Sequence, residues 1–369
     1  YSGGAFDFLK MASSAGHTAG HTFISSETFI SFRPDPGAIT LDDLHLIAGR
    51  AFSAGINRII YHGFPYVYIR ENGNSWYPFI ETTREVGIIG VAPFAMTYWV
   101  SEDHPVWPEL PLFNRYMARL SYTLSRGTHW ADVAWLHPER KFIDIPWTNF
   151  GGYPPEENES EISLSLKRAG LTYDRVSKKG LTNAVVEDGY FEVGAARYEV
   201  LLLTEFDVAT PELMDSIEKI VDEGIPVFVI GDLPQRASGL VDWEERDAAI
   251  QESTAGLLSK TNFVTKENEV GRTMCLADVR PSIVPDDSGE LAFAVVRRAL
   301  PEGDILFLFN ESNEDHTQIL DINIDAKGVR ILDPHTGELV TVAIPDESGQ
   351  LTIEVAISAK RSLVLVTEH

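Results

Sequence analysis

Residues 40–61 of the chain read TLDDLHLIAGRAFSAGINRIIY, and their pattern decides the fold class of the N-terminal part. Thr40 is a suitable helix N-cap, and the two aspartates in the turn after it lie where negative charge is favoured. Apolar residues then recur at helical spacing as far as Phe52, and Gly55 ends the helix. Ile56–Tyr61 follows as an apolar run of strand length. The stretch therefore predicts a helix followed directly by a strand.

The same order occurs once before in the chain. Phe6–Ala12 begins a helical pattern, Thr22–Ser26 forms a short strand-like run, and Glu27 follows it. Helices that alternate with short apolar strands indicate a parallel sheet, but two strands are too few for a domain. The chain also starts at Tyr1 without an initiator Met or a targeting signal. We therefore expect the tail of a larger α/β domain, in a chain that was processed or truncated.

A second α/β pattern lies in the middle of the chain, after an aromatic, loop-like stretch at 64–111 and an amphipathic helix at 112–126. Its predicted strands are 132–136, 172–176, 198–203 and 226–230, and its predicted helices lie near 157–169 and 210–223. Strands and helices in alternation predict a doubly wound parallel sheet.

After about residue 265 the apolar period changes to two, and no further helix is expected. The predicted strands in this part are 291–297, 304–310, 318–324, 328–333, 338–343, 350–355 and 362–367. Short strands separated by turns at this spacing are typical of a β-sandwich. The fold class predicted for the chain is therefore a multidomain α/β protein with an all-β C-terminal part.

Composition excludes several classes of protein. The 369 residues include 55 acidic and 30 basic side chains, and the net charge of −25 disfavours nucleic acid and anionic membranes as partners. No run approaches the length of a membrane-spanning helix. The single cysteine, Cys275, excludes an internal disulfide framework and a multi-cysteine zinc site.

Glu27 is the leading catalytic candidate, because it directly follows the short strand at 22–26. In α/β barrels and open parallel sheets, reacting groups lie at the carboxyl ends of the strands. A solvated loop acid is the alternative interpretation of the same position. A sugar hydrolase also needs a second carboxylate, and no other acid follows a strand convincingly.

Aromatic and imidazole side chains follow the second strand, at Tyr61, His62 and Tyr66, and Trp76 lies in the same aromatic stretch. Adjacent strand ends would bring Glu27 and His62 to the same opening at the edge of the sheet. Flat aromatic rings with polar edges suit the faces of sugar rings. Packing of a buried histidine under aromatic loops explains the pattern equally well. These residues are therefore candidates for substrate binding, and a purely structural role in packing stays open as the alternative.

The middle part carries no catalytic motif. An amidotransferase activity would need a cysteine after the strand at 198–203, but the turn reads Thr204-Glu205-Phe206-Asp207, and Cys275 is expected to be structural. No glycine-rich phosphate loop and no nucleophile elbow is present, and the histidines do not have zinc-ligand spacing. No cofactor is required, although so acidic a chain leaves room for an oxygen-ligated calcium ion.

Three groups of stretches carry a family resemblance. The first comprises residues 10–15 (KMASSA), 24–29 (ISSETF) and 51–63 (AFSAGINRIIYHG). The second comprises residues 113–121 (FNRYMARLS), Gly127 and residues 132–134 (DVA). The third comprises residues 304–310 (DILFLFN) and 332–337 (LDPHTG). Together they resemble the α-L-rhamnosidase-like glycoside hydrolases, family one hundred and six.

The resemblance implies a C-terminal portion of a large exo-acting enzyme. Residues 1–110 would be the last strands of a (β/α)8 catalytic barrel with its aromatic loop, 111–265 an amidotransferase-like α/β domain, and 266–369 a β-sandwich. It further implies an inverting mechanism in which Glu27 activates water, His62 contacts a sugar hydroxyl, and a general acid lies upstream of Tyr1. The partners implied are an oligosaccharide or glycoside substrate and the N-terminal remainder of the same polypeptide.

Two other interpretations remain open. The stretch from Glu71 to Thr97 differs from the family, so a β-galactosidase-like enzyme of another sugar specificity is the first rival. A non-catalytic carbohydrate-binding or assembly protein is the second, and a second carboxylate within about 5–10 Å of Glu27 would argue against it. The excess of arginine over lysine favours an extracellular or periplasmic location, although ordinary solubilising charge explains it as well.

Overall fold

A computed structural model describes most of the chain and contains both helices and several separate sheets. The described residues are 6–29, 39–61, 104–137, 159–187, 189–204, 206–285, 289–347 and 349–369. No helix within these ranges is long and apolar enough to cross a membrane. Helices and strands are numbered below in chain order.

The described residues form eight α-helices. They are α1 Phe6–Thr18, α2 Leu41–Ser53, α3 Leu110–Leu124, α4 Glu161–Arg168, α5 Lys178–Thr182, α6 Pro211–Asp222, α7 Trp243–Leu257 and α8 Val270–Leu276. The predicted start of α2 is confirmed, because the Thr40 side chain accepts a hydrogen bond from the Asp43 amide and the Asp43 carboxylate accepts one from the Thr40 amide. This reciprocal pair is a capping box, which satisfies amides that the first turn leaves free.

The strands in the same ranges are short. They are β1 Ser25–Thr28, β2 Arg58–Tyr61, β3 Thr128–Trp130, β4 Val133–Leu136, β5 Tyr173–Val176, β6 Val185–Glu187, β7 Tyr190–Val193, β8 Ala196–Tyr198, β9 Val200–Thr204, β10 Val208–Ala209, β11 Val227–Ile230, β12 Arg236–Ala237, β13 Asn262–Val264, β14 Ile283–Pro285, β15 Ala294–Leu300, β16 Gly303–Phe309, β17 His316–Ile322, β18 Gly328–Leu332, β19 Leu339–Ala343, β20 Leu351–Ile357 and β21 Ser362–Glu368. They form six sheets, of which four define the architecture: the pair β1–β2, a five-stranded parallel sheet and two antiparallel sheets of three and six strands.

The N-terminal part contains a parallel pair, β1 and β2, as the repeated helix-then-strand order predicts. Residue 25 pairs with 58 and residue 28 pairs with 61, so the carboxyl ends of both strands lie at the same level. Both strands keep exposed positions, which is unusual for a parallel sheet with covered faces.

The middle part is a five-stranded parallel sheet in the order β13-β11-β9-β4-β5. The four predicted strands are confirmed, and all residues of the central strand β9 are buried. Two elements of this part lacked a clear sequence signal. The helix α7 buries only Ile250, Thr254 and Leu257, and β13 has only three residues, of which Val264 alone is buried.

The C-terminal part consists of two antiparallel sheets, in the orders β19-β18-β21-β16-β15-β3 and β14-β17-β20. Both sheets contribute buried residues to one core cluster, for example Leu306 and Leu320, so they pack face to face, and we call this pair of sheets the sandwich. All seven strands predicted after residue 265 are present. The expectation that helices end near residue 265 is wrong, because α8 follows and buries Val270 and Met274 in the core of the parallel sheet. The strand β3 comes from a distant part of the chain, yet it pairs with β15 at the edge of the larger sheet.

The three parts share cores rather than standing apart. Phe52 from α2 and Leu120 from α3 are fully buried in one cluster with Phe307 and Phe309 of β16. In the same way, α1 packs against the parallel sheet, where Phe6 joins a cluster that contains Trp135. The predicted limits at residues 110/111 and 265/266 stay predictions, but packing continues across both.

Replacement of Gly49 by Ala tests the seam between α2 and the sandwich. A β-carbon at Gly49 would overlap the Phe309 ring, so we expect Gly49→Ala to lower the free energy of unfolding by about 1–3 kcal/mol. Gly256 is the matched control, since it also lies within a helix but its β-carbon would meet open space. Gly256→Ala should stabilise by up to about 1 kcal/mol. Urea unfolding of both variants measures the difference, and equal effects would contradict this packing.

Candidate active site

The candidate site lies at the carboxyl end of the parallel pair β1–β2. Glu27 pairs with Ile60, and Thr28 pairs with Tyr61. Glu27 is exposed, whereas Thr28 is buried, because successive side chains of a strand point to opposite faces. Two of the residues singled out from the sequence, Glu27 and Tyr61, therefore lie at the same edge of this sheet.

Tyr61 is fixed by contacts on two sides. Its hydroxyl donates a hydrogen bond of 2.7 Å to the Oδ1 atom of Asn114 on α3, and its ring centroid lies 4.9 Å from that of Phe29. Burial raises the pKa of the Tyr61 phenol above its ordinary value, so the group is neutral at all physiological pH values. The hydroxyl can therefore act as a donor, and in this structure it donates to Asn114.

Phe29 has a backbone conformation that the sequence does not reveal. Its φ angle is 71°, in the left-handed region that favours glycine, and its side chain is only 2% exposed. The ring packs against Tyr61 and, at 5.8 Å between centroids, against Phe113 of α3. The extended backbone of β1 thus ends two residues after Glu27, at a residue that the aromatic contacts hold in place.

The other predicted substrate contacts lie outside the described residues. These are His62, Tyr66 and Trp76. Their roles stay predictions, as does the role of Glu27 in catalysis.

At the equivalent edge of the parallel sheet, no cysteine directly follows any of the five described strands. The β9 strand ends at Thr204, whose hydroxyl accepts a 2.7 Å hydrogen bond from the Trp135 indole. Cys275 lies on α8, and burial raises the pKa of its thiol, so the reactive thiolate is disfavoured. Both observations agree with a structural role for Cys275.

A second group of titratable residues, which we call the Asp174 cluster, was not signalled by any sequence motif. It consists of Lys10, Ser14 and His17 from α1, His129 from β3, Asp174 from β5 and Tyr198 from β8. Asp174 is fully buried, and its Oδ1 atom lies 2.9 Å from His17 Nδ1 and accepts a 3.1 Å hydrogen bond from Ser14. Its Oδ2 atom accepts one of 3.2 Å from the Tyr198 hydroxyl.

Charges in the Asp174 cluster follow from burial and proximity. Burial lowers the pKa of His17 and lowers that of His129 further, so both imidazoles are neutral. Burial opposes ionisation of Asp174, but its hydrogen-bond donors and the Lys10 ammonium, 3.5 Å away, hold the pKa of that carboxyl below its usual range. The cluster therefore contains one buried ion pair, Lys10 with Asp174, beside two neutral histidines.

The geometry of this cluster does not fit a metal ion. Ligand atoms of His17, His129 and Asp174 lie within 4.8 Å of one another. However, the two imidazole rings are stacked with centroids 3.5 Å apart and planes 14° apart. Nitrogen lone pairs lie in the ring plane, so stacked rings cannot direct them at one ion. The Lys10 ammonium next to Asp174 also opposes a second cation. A calcium ion would in any case prefer oxygen ligands alone, and it stays an expectation from composition.

Comparison with known proteins gives three findings. A family model described as alpha-L-rhamnosidase matches residues 6–344. A curated protein from Formosa agariphila, named putative beta-glucuronidase, is 25% identical over 355 residues, which cover 92% of this chain and 26% of that protein. The solved rhamnosidase from Novosphingobium sp. PP1Y superposes with a TM-score of 0.72 at 17% identity, covering 98% of this chain and 33% of the rhamnosidase.

A more distant structural likeness extends to other glycosidases. The beta-galactosidase from Bacillus circulans sp. alkalophilus superposes with a TM-score of 0.56 at 12% identity, covering 98% of this chain and 58% of that enzyme. At this identity the likeness concerns the fold alone. The chain thus spans well under two thirds of the length of the proteins named here.

Acid should weaken the fold through the Asp174 cluster. In the folded chain the pKa values of His17 and His129 lie below 6.5, the usual value for histidine. Below pH 6.5 the unfolded chain therefore binds protons at these histidines that the folded chain does not bind. Full stability is therefore present above pH 6.5, and each histidine removes up to about 1.4 kcal/mol per pH unit as the pH falls from there. Protonation of either ring would also add a cation beside Lys10 and Arg298.

His129→Phe tests this prediction, because phenylalanine keeps the stacking but cannot be protonated. The variant should lose up to about 1.4 kcal/mol per pH unit of the decline in urea-unfolding free energy between about pH 7 and 5. Burial also lowers the pKa values of His45 and His335, which account for part of the decline that remains. The same substitution at the exposed His21 is the control and should leave the decline unchanged. Identical pH profiles for wild type and His129→Phe would contradict a neutral buried His129.

Proposed function

This chain belongs to the alpha-L-rhamnosidase family of glycoside hydrolases, and from that premise we propose that it carries the catalytic base of a larger glycosidase. The observation that carries the proposal is the position of Glu27. It is an exposed carboxylate at the carboxyl end of a parallel strand pair, where barrel enzymes assemble their reacting groups. The chain spans 33% of the similar Novosphingobium rhamnosidase, so the remaining catalytic groups are expected from the rest of the polypeptide.

The proposed reaction is hydrolysis with inversion. Glu27 removes a proton from water, the water oxygen attacks the anomeric carbon, and the bond to the departing oxygen breaks. A carboxylic acid on the opposite face of the sugar gives its proton to that oxygen. In inverting glycosidases the two carboxyl groups stand roughly 6.5–9.5 Å apart, which leaves room for the water. We assign the acid to the portion of the polypeptide upstream of Tyr1.

The proposed substrate is a glycoside with terminal α-L-rhamnose. The family description and the likeness to a solved rhamnosidase support this sugar. His62, Tyr66 and Trp76 are proposed to contact it, with the aromatic rings against the apolar face of the sugar ring. A different sugar is the second candidate, because the Formosa agariphila relative is named putative beta-glucuronidase.

The proposed partner is the remainder of the barrel in the same polypeptide. Phe23, next to β1, is 60% exposed and Ile60 on β2 is 50% exposed. Large apolar side chains and two outer strand edges without a partner among the described residues favour pairing with further strands. Additional β/α units on either side of β1–β2 would cover both features.

Substitution of Glu27 in the full-length protein tests the assignment. Glu27→Gln should lower kcat for an aryl α-L-rhamnoside by about 10²–10⁴-fold, since a general base contributes that much. Glu109→Gln is the control, because Glu109 is also exposed but lies at the start of α3, and it should leave kcat unchanged. Undiminished turnover by Glu27→Gln would overturn the proposed role.

Azide distinguishes a base from a merely structural carboxylate. Azide attacks the anomeric carbon directly and needs no proton removal, while the acid still protonates the departing oxygen. Glu27→Ala should therefore regain turnover of the aryl rhamnoside in azide and form a glycosyl azide of inverted configuration. Absence of rescue, or a product of retained configuration, would contradict an inverting base at position 27.

A panel of aryl glycosides tests the sugar. We expect kcat/KM for the α-L-rhamnoside to exceed that for the β-glucuronide and the β-galactoside by at least about 10²-fold, since a site built for one set of hydroxyls rejects a sugar that leaves its polar groups unpaired. Preference for either other sugar would favour the second candidate. Binding of the glycosides without turnover of any would favour the non-catalytic carbohydrate-binding protein.

A further inference from the structure

The strand end that carries Glu27 is strained at a defined residue. Phe29 adopts a φ angle of 71°, in the left-handed region that residues with a β-carbon rarely adopt. Such strain persists only where surrounding contacts over-determine it, and it concentrates near functional sites. The question is therefore what holds Phe29 in this conformation.

Among the described residues, three side chains hold it, and together with Phe29 we call them the strand-end clamp: Phe29, Tyr61, Phe113 and Asn114. The ring of Phe29 packs between those of Tyr61 and Phe113, at 4.9 and 5.8 Å between centroids. Tyr61 in turn donates its hydrogen bond of 2.7 Å to Asn114. Because Thr28 pairs with Tyr61, the clamp contacts both strands and holds the end of β1 beside the end of β2.

The other end of the clamp is anchored far from the strands. Phe113 and Asn114 lie on α3, and the next turns of this helix bind the sandwich. The hydroxyls of Tyr116 and Ser362 share a hydrogen bond of 2.8 Å. Arg119 donates to the carbonyl oxygens of Pro334 and His335 at 3.0 and 2.6 Å. Hence α3 is a rigid connection from the β-sandwich to the strand end.

We propose that the strand-end clamp positions the Glu27 carboxylate for catalysis, which rests on the proposed function of Glu27. Phe29 is the central positioning residue, since its left-handed backbone directly follows the last residue of β1 and its buried ring holds that conformation. The β-sandwich, which contributes no group to the proposed chemistry, acts on the site through α3. Substrate contact by these four side chains is not required.

Two variants in the full-length protein test the proposal. Phe29→Gly permits the left-handed backbone but removes the ring, and Asn114→Ala removes only the hydrogen bond to Tyr61. Phe29→Gly should lower kcat for the aryl rhamnoside by about 10–100-fold with KM changed less than about threefold, because a misplacement of about 1 Å costs that much. Asn114→Ala should lower kcat by a smaller factor in the same sense. Tyr122→Ala, which removes an exposed ring from α3, is the control and should not change kcat.

The azide reaction separates positioning from general destabilisation. In the Glu27→Ala background no carboxylate remains to be positioned, so adding Phe29→Gly should leave the azide-supported rate unchanged. A purely structural role would reduce that rate as much as it reduces hydrolysis in the wild-type background. Equal losses in the two reactions would overturn the proposal, as would unchanged kcat in both Phe29→Gly and Asn114→Ala.

The outcomes also separate this inference from the assignment on which it rests. If Glu27→Gln retains full activity, the proposed function fails before the clamp is tested. If Glu27→Gln is inactive and the clamp variants hydrolyse at the wild-type rate, the role of Glu27 stands and the clamp is only structural. If Phe29→Gly does not fold, Asn114→Ala with its double variant Glu27→Ala/Asn114→Ala decides the matter by the same comparison.

Discussion

The buried carboxylate of Asp174 is the constraint on which the arrangement of the three parts depends. A charge out of contact with water is tolerated only when it is paired and hydrogen-bonded, and removing one partner of such a pair costs roughly 3–5 kcal/mol. The hydrogen-bonding and ionic partners of Asp174 come from α1 and β8, and His129 of β3 stacks on one of them, His17, so these elements meet at the carboxylate. Because β1 follows α1 directly, the position of Glu27 is linked to this pair as well.

A second ionic group reinforces the same arrangement on the side of the sandwich. Glu311 binds Arg50 of α2 and lies 3.3 Å from the Lys167 ammonium of α4, which also contacts Glu159 at 2.8 Å. Although burial opposes its charge, the two glutamates raise the pKa of Lys167. Like the Asp174 cluster, this group has as many cationic as anionic members, so its charge is balanced locally. The helix that precedes β2 and the helix that covers the parallel sheet are thus tied to one turn of the sandwich.

Much of the fold could be predicted from local patterns, and the exceptions have physical reasons. The capping box at Thr40 and the period-two strands near the C-terminus depend on residues close together in the sequence, so local patterns predict them. The helix α7, in contrast, has no clear apolar face and gives no amphipathic signal. For the site, the position of Glu27 after a strand was accessible to sequence reasoning. The left-handed Phe29 and the union of His17, His129 and Asp174 were not, because both arise from contacts between residues far apart in the chain.

The pairing of β3 with β15 has a consequence for the order in which the molecule is assembled. All other strands of the larger sandwich sheet come after the parallel sheet, whereas β3 comes before it. Topologically, the parallel-sheet region is an insertion between two strands of the sandwich. During synthesis on the ribosome, this inserted region can collapse around its own core while β3 is still unpaired, because its partner β15 is synthesised later. The pairing of β3 with β15 therefore forms only after the whole parallel-sheet region has been synthesised.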